Sequence, residues 1–197
     1  MVFSKTMALI ALVLVLGLLG GGEPSGPPGA RDELPIMGEI SMKEATFGAG
    51  CFWGVEAAFR KVHGVQTTEV GFMGGDVEDP SYERVCRGDT GHAEVVHLRY
   101  DPEEVSYAEL LDVFFDIHDP TQRGRQGPDV GYQYRSVIFY YGEEQREAAE
   151  RKVRERDDSI GSGRSVATSV EPAEEFYRAE DYHQQYYQKQ GRSCRLM

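Results

Sequence analysis

Gly48-Ala49-Gly50-Cys51-Phe52-Trp53-Gly54 sets one of three cysteines and the single tryptophan of a 197-residue chain among four small residues. Upstream, Glu44 to Ala49 reads as a short strand. Downstream, Phe52, Val55, Glu56 and Phe59, with Ala57 and Ala58 between them, recur at helical spacing. Cys51 therefore falls at a strand-to-helix turn. A thiol there faces unpaired backbone N–H groups and the positive end of the helix dipole, which predicts a lowered pKa and a reactive thiolate. The small flanking residues leave room for a substrate, with Phe52 and Trp53 as an apolar wall beside the sulfur. A glycine-rich turn carrying core aromatics is the competing reading of the same seven residues.

Working outward, Val65 to Phe72 and His92 to Tyr100 read as strands. Ser136 to Tyr141, nearly all apolar, reads as an interior strand covered on both faces. Val166 to Val170 is a further short strand candidate. Ser106-Tyr107-Ala108-Glu109 has the form of a capping box opening a helix whose apolar face is Leu110, Leu111, Phe114, Phe115 and Ile117, stopped by Asp119-Pro120. Gln122 to Gln133, with three glycines and a proline, reads as a long loop. Glu143 to Asp157 reads as a charged surface helix with an i,i+4 pair at Glu147 and Arg151, and Ala173 to Gln190 as a last helix before an irregular C-terminal tail. Helices separated by strands, some at hairpin spacing, predict an α+β two-layer sandwich with a ferredoxin-like core. The Gly71 to Gly75 stretch precedes no helix, so it is not a phosphate cradle.

The chain ends and the charge balance narrow the class. Lys5 precedes the apolar run Met7 to Leu19, and residues 1–20 read as a signal peptide or N-terminal anchor. Gly20-Gly21-Gly22 offers small residues but no A-x-A cleavage site. Residues 21–38, rich in Gly and Pro, read as a linker, and 39–197 as the folded domain. An exported location follows, periplasmic or anchored facing outside the cytoplasm. A net charge of −12 argues against nucleic acid or anionic lipid as partner. Cys51, Cys86 and Cys194 are too few for a disulfide scaffold, and no CxxC pair suggests zinc.

A second constellation lies on the strand His92-Ala93-Glu94-Val95-Val96-His97-Leu98-Arg99-Tyr100. The two-residue period puts Glu94 on one face with Val96, Leu98 and Tyr100. If that face is buried, desolvation raises the Glu94 pKa and keeps the carboxyl protonated near neutrality, as a general acid requires. His92, Glu94, His118 and Asp119 are all metal-ligand types, but their spacing matches no metal motif, and neither metal nor cofactor is expected.

Gly50-Cys51-Phe52-Trp53-Gly54, Tyr82 through Glu94 (YERVCRGDTGHAE), His118 to Gln122, Gln133 to Ser136 and Tyr182-His183-Gln184, in this order, resemble the A-type peptide methionine sulfoxide reductases. The resemblance runs from about residue 44 to 190. It implies that 39–197 is a reductase domain in which the Cys51 thiolate attacks the sulfoxide sulfur and becomes a sulfenic acid. It further implies that Glu94 protonates the leaving oxygen, that Tyr82 and Tyr134 donate hydroxyls to it, that Phe52 and Trp53 hold the substrate methyl, and that Asp129 is a polar site residue. Family members often carry C-terminal cysteines, which makes Cys194 the expected resolving thiol, opened by a thioredoxin-like donor. The expected substrate is methionine S-sulfoxide, free or in oxidised proteins, and a monomer is expected. Cys86 follows the family pattern and is taken as structural. Gly124 stands where Asn is common and Tyr132 where a small Thr is common. A thiol peroxidase remains an alternative, as does an exported module that grips methionine-rich segments without turnover.

Overall fold

The computed structural model describes residues 41–161 and 163–191. The leader and linker readings (1–20 and 21–38), the final tail and Cys194 lie outside those residues. Among the described residues, eight strands and five helices follow one another as β1 (Lys43–Ala49), α1 (Phe52–Phe59), β2 (Val65–Met73), α2 (Tyr82–Cys86), β3 (Ala93–Tyr100), α3 (Tyr107–Asp116), β4 (Arg125–Gln126), β5 (Asp129–Val130), β6 (Ser136–Tyr140), α4 (Glu143–Ser159), β7 (Ser169–Pro172), β8 (Tyr177–Arg178) and α5 (Tyr186–Lys189). A 3-10 turn at Tyr132–Tyr134 precedes β6.

Six strands form one sheet in the order β7-β6-β1-β3-β2-β8. β1 runs antiparallel to both β3 and β6, and β2 antiparallel to β3, so β6-β1-β3-β2 with α1 and α3 as crossovers is the expected ferredoxin-like core. β7 adds parallel to β6 and β8 antiparallel to β2. Side chains alternate across this sheet. Phe47, Val96, Leu98 and Ile138 face the helices, and Met73, Ala93, Val95, Val137 and Phe139 face the other side, against Ala173 and Phe176. Burial of Ser136 through Phe139 matches the two-sided cover expected for β6.

On the helical side the Phe47 ring stacks on Phe59 at 5.2 Å and Phe114 at 5.3 Å. All three are fully buried, each side chain worth about 1.5–3 kcal/mol of transfer free energy. α1 is helical because Phe52, Val55 and Phe59 share a buried stripe, and α3 because Ser106 and Glu109 close the predicted capping box in both directions. α4 lies on α3 through Lys152 and Arg156, which reach Asp112 and Asp116. Its i,i+4 ion pairs join Glu150 to Arg146 and Arg154, not Glu147 to Arg151.

Three expectations need correction. The strand placed at Val166 to Val170 is Ser169–Pro172, where parallel pairing with β6 sets the register. The loop from Gln122 to Gln133 contains the β4-β5 hairpin. The helix expected over Ala173 to Gln190 is replaced by β8, turns and the short α5. Tyr177 pairs with Phe72 at the open edge of β2, and Gln184 then clamps the segment by bonding Val70 N, Val70 O and Ala179 O. The buried Glu56 carboxylate accepts from Thr68 Oγ1 at 3.0 Å and from Gln185 N at 2.7 Å, holding Gln185 left-handed at φ 54°. These tertiary bonds outweigh the helical preference of the sequence.

Candidate active site

Cys51 caps the N-terminus of α1 directly after β1, as the sequence predicts. The small residues around it have specific causes. A Cβ on Gly48 would lie 2.7 Å from Val137 Cγ1, and one on Gly50, which sits at φ +93°, would lie 2.7 Å from the Gln126 Cβ. β1 thereby pairs closely with β6, and Gln126 of the β4-β5 hairpin lies against the turn.

Glu94 is 1% exposed, on the helix-facing side of β3 with Val96, Leu98 and Tyr100. Its Oε2 accepts the Phe52 backbone N–H at 3.1 Å. Oε1 is buried and, among the described residues, has no hydrogen-bond partner. Desolvation pushes the carboxyl up to about 8, with the Asp129 charge adding to the rise and the Phe52 bond opposing it. A protonated carboxyl with one oxygen unpaired is a donor in waiting.

The expectation of a lowered thiol pKa is overturned. The Trp53 and Gly54 amides face the Cys51 sulfur and pull its pKa down, without closing a cap hydrogen bond. Burial outweighs them, followed by the charges of Glu94 and Asp129, and the thiol is pushed up to about 12. Helix-terminus stabilisation operates here, but against a larger desolvation cost and an acidic neighbour. At rest Cys51 is a thiol.

Tyr82 and Tyr134 complete the group. Burial raises both phenols, Tyr134 to about 12, and the Glu94 charge raises each further. Both therefore remain hydroxyl donors. Tyr82 shares a hydrogen bond with Cys86, an exposed thiol at the end of α2. Asp129, on β5, lines a cleft of about 460 Å³ together with Cys51, Gln126, Pro128, His118 and Tyr187. Another hollow of about 670 Å³, between the starts of α3 and α4, contains no cysteine and is remote from this chemistry.

Phe52 is fully buried, tilted on Phe72 at 5.9 Å and stacked on Tyr82 at 6.2 Å, and it forms a floor more than an open wall. Trp53 is half-buried, stacked on Tyr186 at 3.9 Å and bonded through Nε1 to His183. The sequence reading assigns no role to His183 or Tyr186, although the run Tyr182 to Tyr187 carries three tyrosine rings and an imidazole; the helix expected there hides their convergence on Trp53.

The metal-ligand types have other work. His118 Nδ1 meets Phe114 O at 2.7 Å and Nε2 meets Ser136 Oγ at 2.8 Å, while burial lowers its pKa to about 4. His92 Nε2 meets Val77 O at 2.8 Å. Among the described residues no group of three or more His, Cys, Asp or Glu is placed to hold a metal ion.

The family described as peptide methionine sulfoxide reductase matches residues 43–197 of this chain. The chain belongs to that family. A peptide methionine sulfoxide reductase MsrA of Methanothermobacter thermautotrophicus is 60% identical over 156 residues, covering 79% of this chain and 92% of the relative. That of Geobacter sulfurreducens is 53% identical over 161 residues, covering 81% and 99%. Among solved structures, methionine sulfoxide reductase A of Corynebacterium diphtheriae superposes with a TM-score of 0.72 at 38% identity, covering 78% of this chain and 77% of that one. Reduced Mxr1 from Saccharomyces cerevisiae gives 0.73 at 37%, covering 79% and 89%. The reductase fold brings Cys51, Tyr82, Glu94, Asp129 and Tyr134 to one place in this chain.

A raised Glu94 pKa has a consequence for stability. The folded carboxyl keeps its proton up to about 8, whereas the unfolded chain releases it near the ordinary 4.5. Between these values folding takes up a proton, so this group's contribution to stability falls as pH rises. Glu94→Gln, which still accepts from Phe52 and never ionises, is expected to gain on the wild type from pH 5 to pH 8 by at most about 1.4 kcal/mol per unit. Urea melts of both proteins across that range check it; a pH-independent difference contradicts the assignment.

Proposed function

We propose that this protein reduces methionine S-sulfoxide, free or in oxidised proteins, through a Cys51 sulfenic acid. The observation that carries the reading is the buried Glu94 carboxyl, protonated and with Oε1 unpaired, beside the Cys51 sulfur and two tyrosine hydroxyls. As sulfur attacks sulfur, negative charge grows on the sulfoxide oxygen. Glu94 supplies the proton, and the Tyr82 and Tyr134 hydroxyls stabilise the charge as an oxyanion hole would. The thiol proton returns the carboxyl to its resting form. Thiol plus sulfoxide thus become sulfenic acid plus thioether, with no other reactant consumed.

A peroxidase relies on a standing thiolate. Cys51 is held as a thiol, and the site instead provides an acid, which favours the sulfoxide reading. A binding module without turnover has no use for either group.

Recycling needs a second thiol. Tyr187 lines the Cys51 cleft, and Cys194 follows it by seven residues, a span of at most roughly 25 Å when extended. Attack of the Cys194 thiol on the sulfenic acid releases water and leaves a Cys51–Cys194 disulfide, which a thioredoxin-like dithiol opens by exchange. The solved complex of Mxr1 from Saccharomyces cerevisiae with Trx2, matched at a TM-score of 0.52 and 28% identity over 74% of this chain, supports such a donor. The preference for the S epimer follows the A-type resemblance.

Lys5 and the apolar run Met7 to Leu19 support an exported reductase. Cell fractionation with full-length protein recovered in the cytosol would refute the location. For the chemistry, Cys51→Ser is expected to release no methionine. Cys194→Ser should release one methionine per Cys51 and then stop when thioredoxin is the only reductant. Quenched-flow counting of methionine from each epimer checks both; undiminished steady turnover by Cys194→Ser, or a mapped Cys51–Cys86 disulfide, would remove Cys194 from the cycle.

A further inference from the structure

His183 is 1% exposed and lies in the turn between β8 and α5. Its Nδ1 is 3.0 Å from the Trp53 indole nitrogen. An indole N–H only donates, so Nδ1 is the acceptor and the imidazole proton sits on Nε2. Among the described residues Nε2 is buried without a hydrogen-bond partner, and the carboxylate oxygen Glu180 Oε2 is 3.9 Å away. Four rings hold the imidazole in this orientation: Tyr182 at 4.0 Å, Tyr82 at 4.2 Å, Phe52 at 5.2 Å and Trp53 itself at 5.6 Å. Trp53 is gripped a second time, where its face lies on Tyr186 at 3.9 Å and 10°.

A histidine that served packing alone would not need its lone pair aimed at an indole edge. The bond crosses 130 positions of chain and joins the first turn of α1 to the C-terminal segment. That segment is itself tied down by Gln184 and by Glu56 through Gln185. We propose that His183 is a positioning residue: its Nδ1 lone pair fixes the Trp53 indole as a wall of the sulfoxide pocket and so sets the affinity for the substrate's methyl end. The proposal rests on the reading of Trp53 as that wall. Without the acceptor the indole N–H is left unpaired or the ring turns to find water, and substrate binding changes while Cys51 and Glu94 keep their geometry.

Asn and Leu have nearly the same shape, and only Asn places an acceptor oxygen where Nδ1 stands. His183→Leu is expected to raise KM for a methionine S-sulfoxide peptide about tenfold with kcat within about threefold, and His183→Asn to restore most of the loss. Trp53 is the only tryptophan, so intrinsic fluorescence reads its environment directly. The emission maximum of His183→Leu should shift away from that of the wild type, and His183→Asn should return toward it. Leu and Asn variants that behave alike in KM and emission would reduce His183 to packing and overturn the proposal. Trp53→Ala run beside them separates the two readings: an unchanged KM there refutes the Trp53 wall, while the emission contrast still decides whether His183 holds the ring.

Discussion

The Phe52 backbone N–H donates to Glu94 Oε2 across 3.1 Å, and this bond ties the first turn of α1 to the middle of the sheet. It satisfies one of the N–H groups a helix start leaves unpaired, in an interior where an unpaired group costs about 1–3 kcal/mol. It also fixes which carboxyl oxygen is occupied. Oε1 is left without a hydrogen-bond partner among the described residues, and the thiol, one residue before Phe52, is close enough for a charge on Glu94 to raise its pKa.

Two acids of very different strength are thereby placed together. Each negative charge would raise the other's pKa, and both groups are desolvated, so the neutral pair is the resting state. The arrangement suits a reaction that begins and ends with neutral partners and develops charge only in between. Phe52 and Trp53 are rooted in the same helical turn as Cys51, and the C-terminal segment braces Trp53 through Tyr186 and His183.

Much of this was legible in the sequence. Strand-turn-helix around Cys51, the Ser106 capping box and the parity that put Glu94 among Val96, Leu98 and Tyr100 all rest on local periodicity and cap chemistry, and the structure carries them. The direction of the Cys51 shift was not legible, because the helix-dipole rule is local and the opposing influences come from burial and from Glu94, 43 positions away. Ala173 to Gln190 was misread for a related reason. Nothing in its own residues announces that β2 has an open edge, that Phe176 packs over Gly71, or that Gln184 will trade helix bonds for the backbone of Val70. His183 meets Trp53 only because the chain turns back after β8, a contact that nothing local in Tyr182-His183-Gln184 encodes.

The chemistry at Cys51 turns on the protonation state of one carboxyl. Carbon-13 NMR of protein labelled at the glutamate side-chain carboxyls, with the Glu94 signal identified by its loss in Glu94→Gln, follows that state directly as pH is raised. The predicted result is a titration midpoint near 8. A midpoint near the ordinary 4.5 would mean an ionised Glu94 at neutral pH, and the acid in this mechanism would have to be another group.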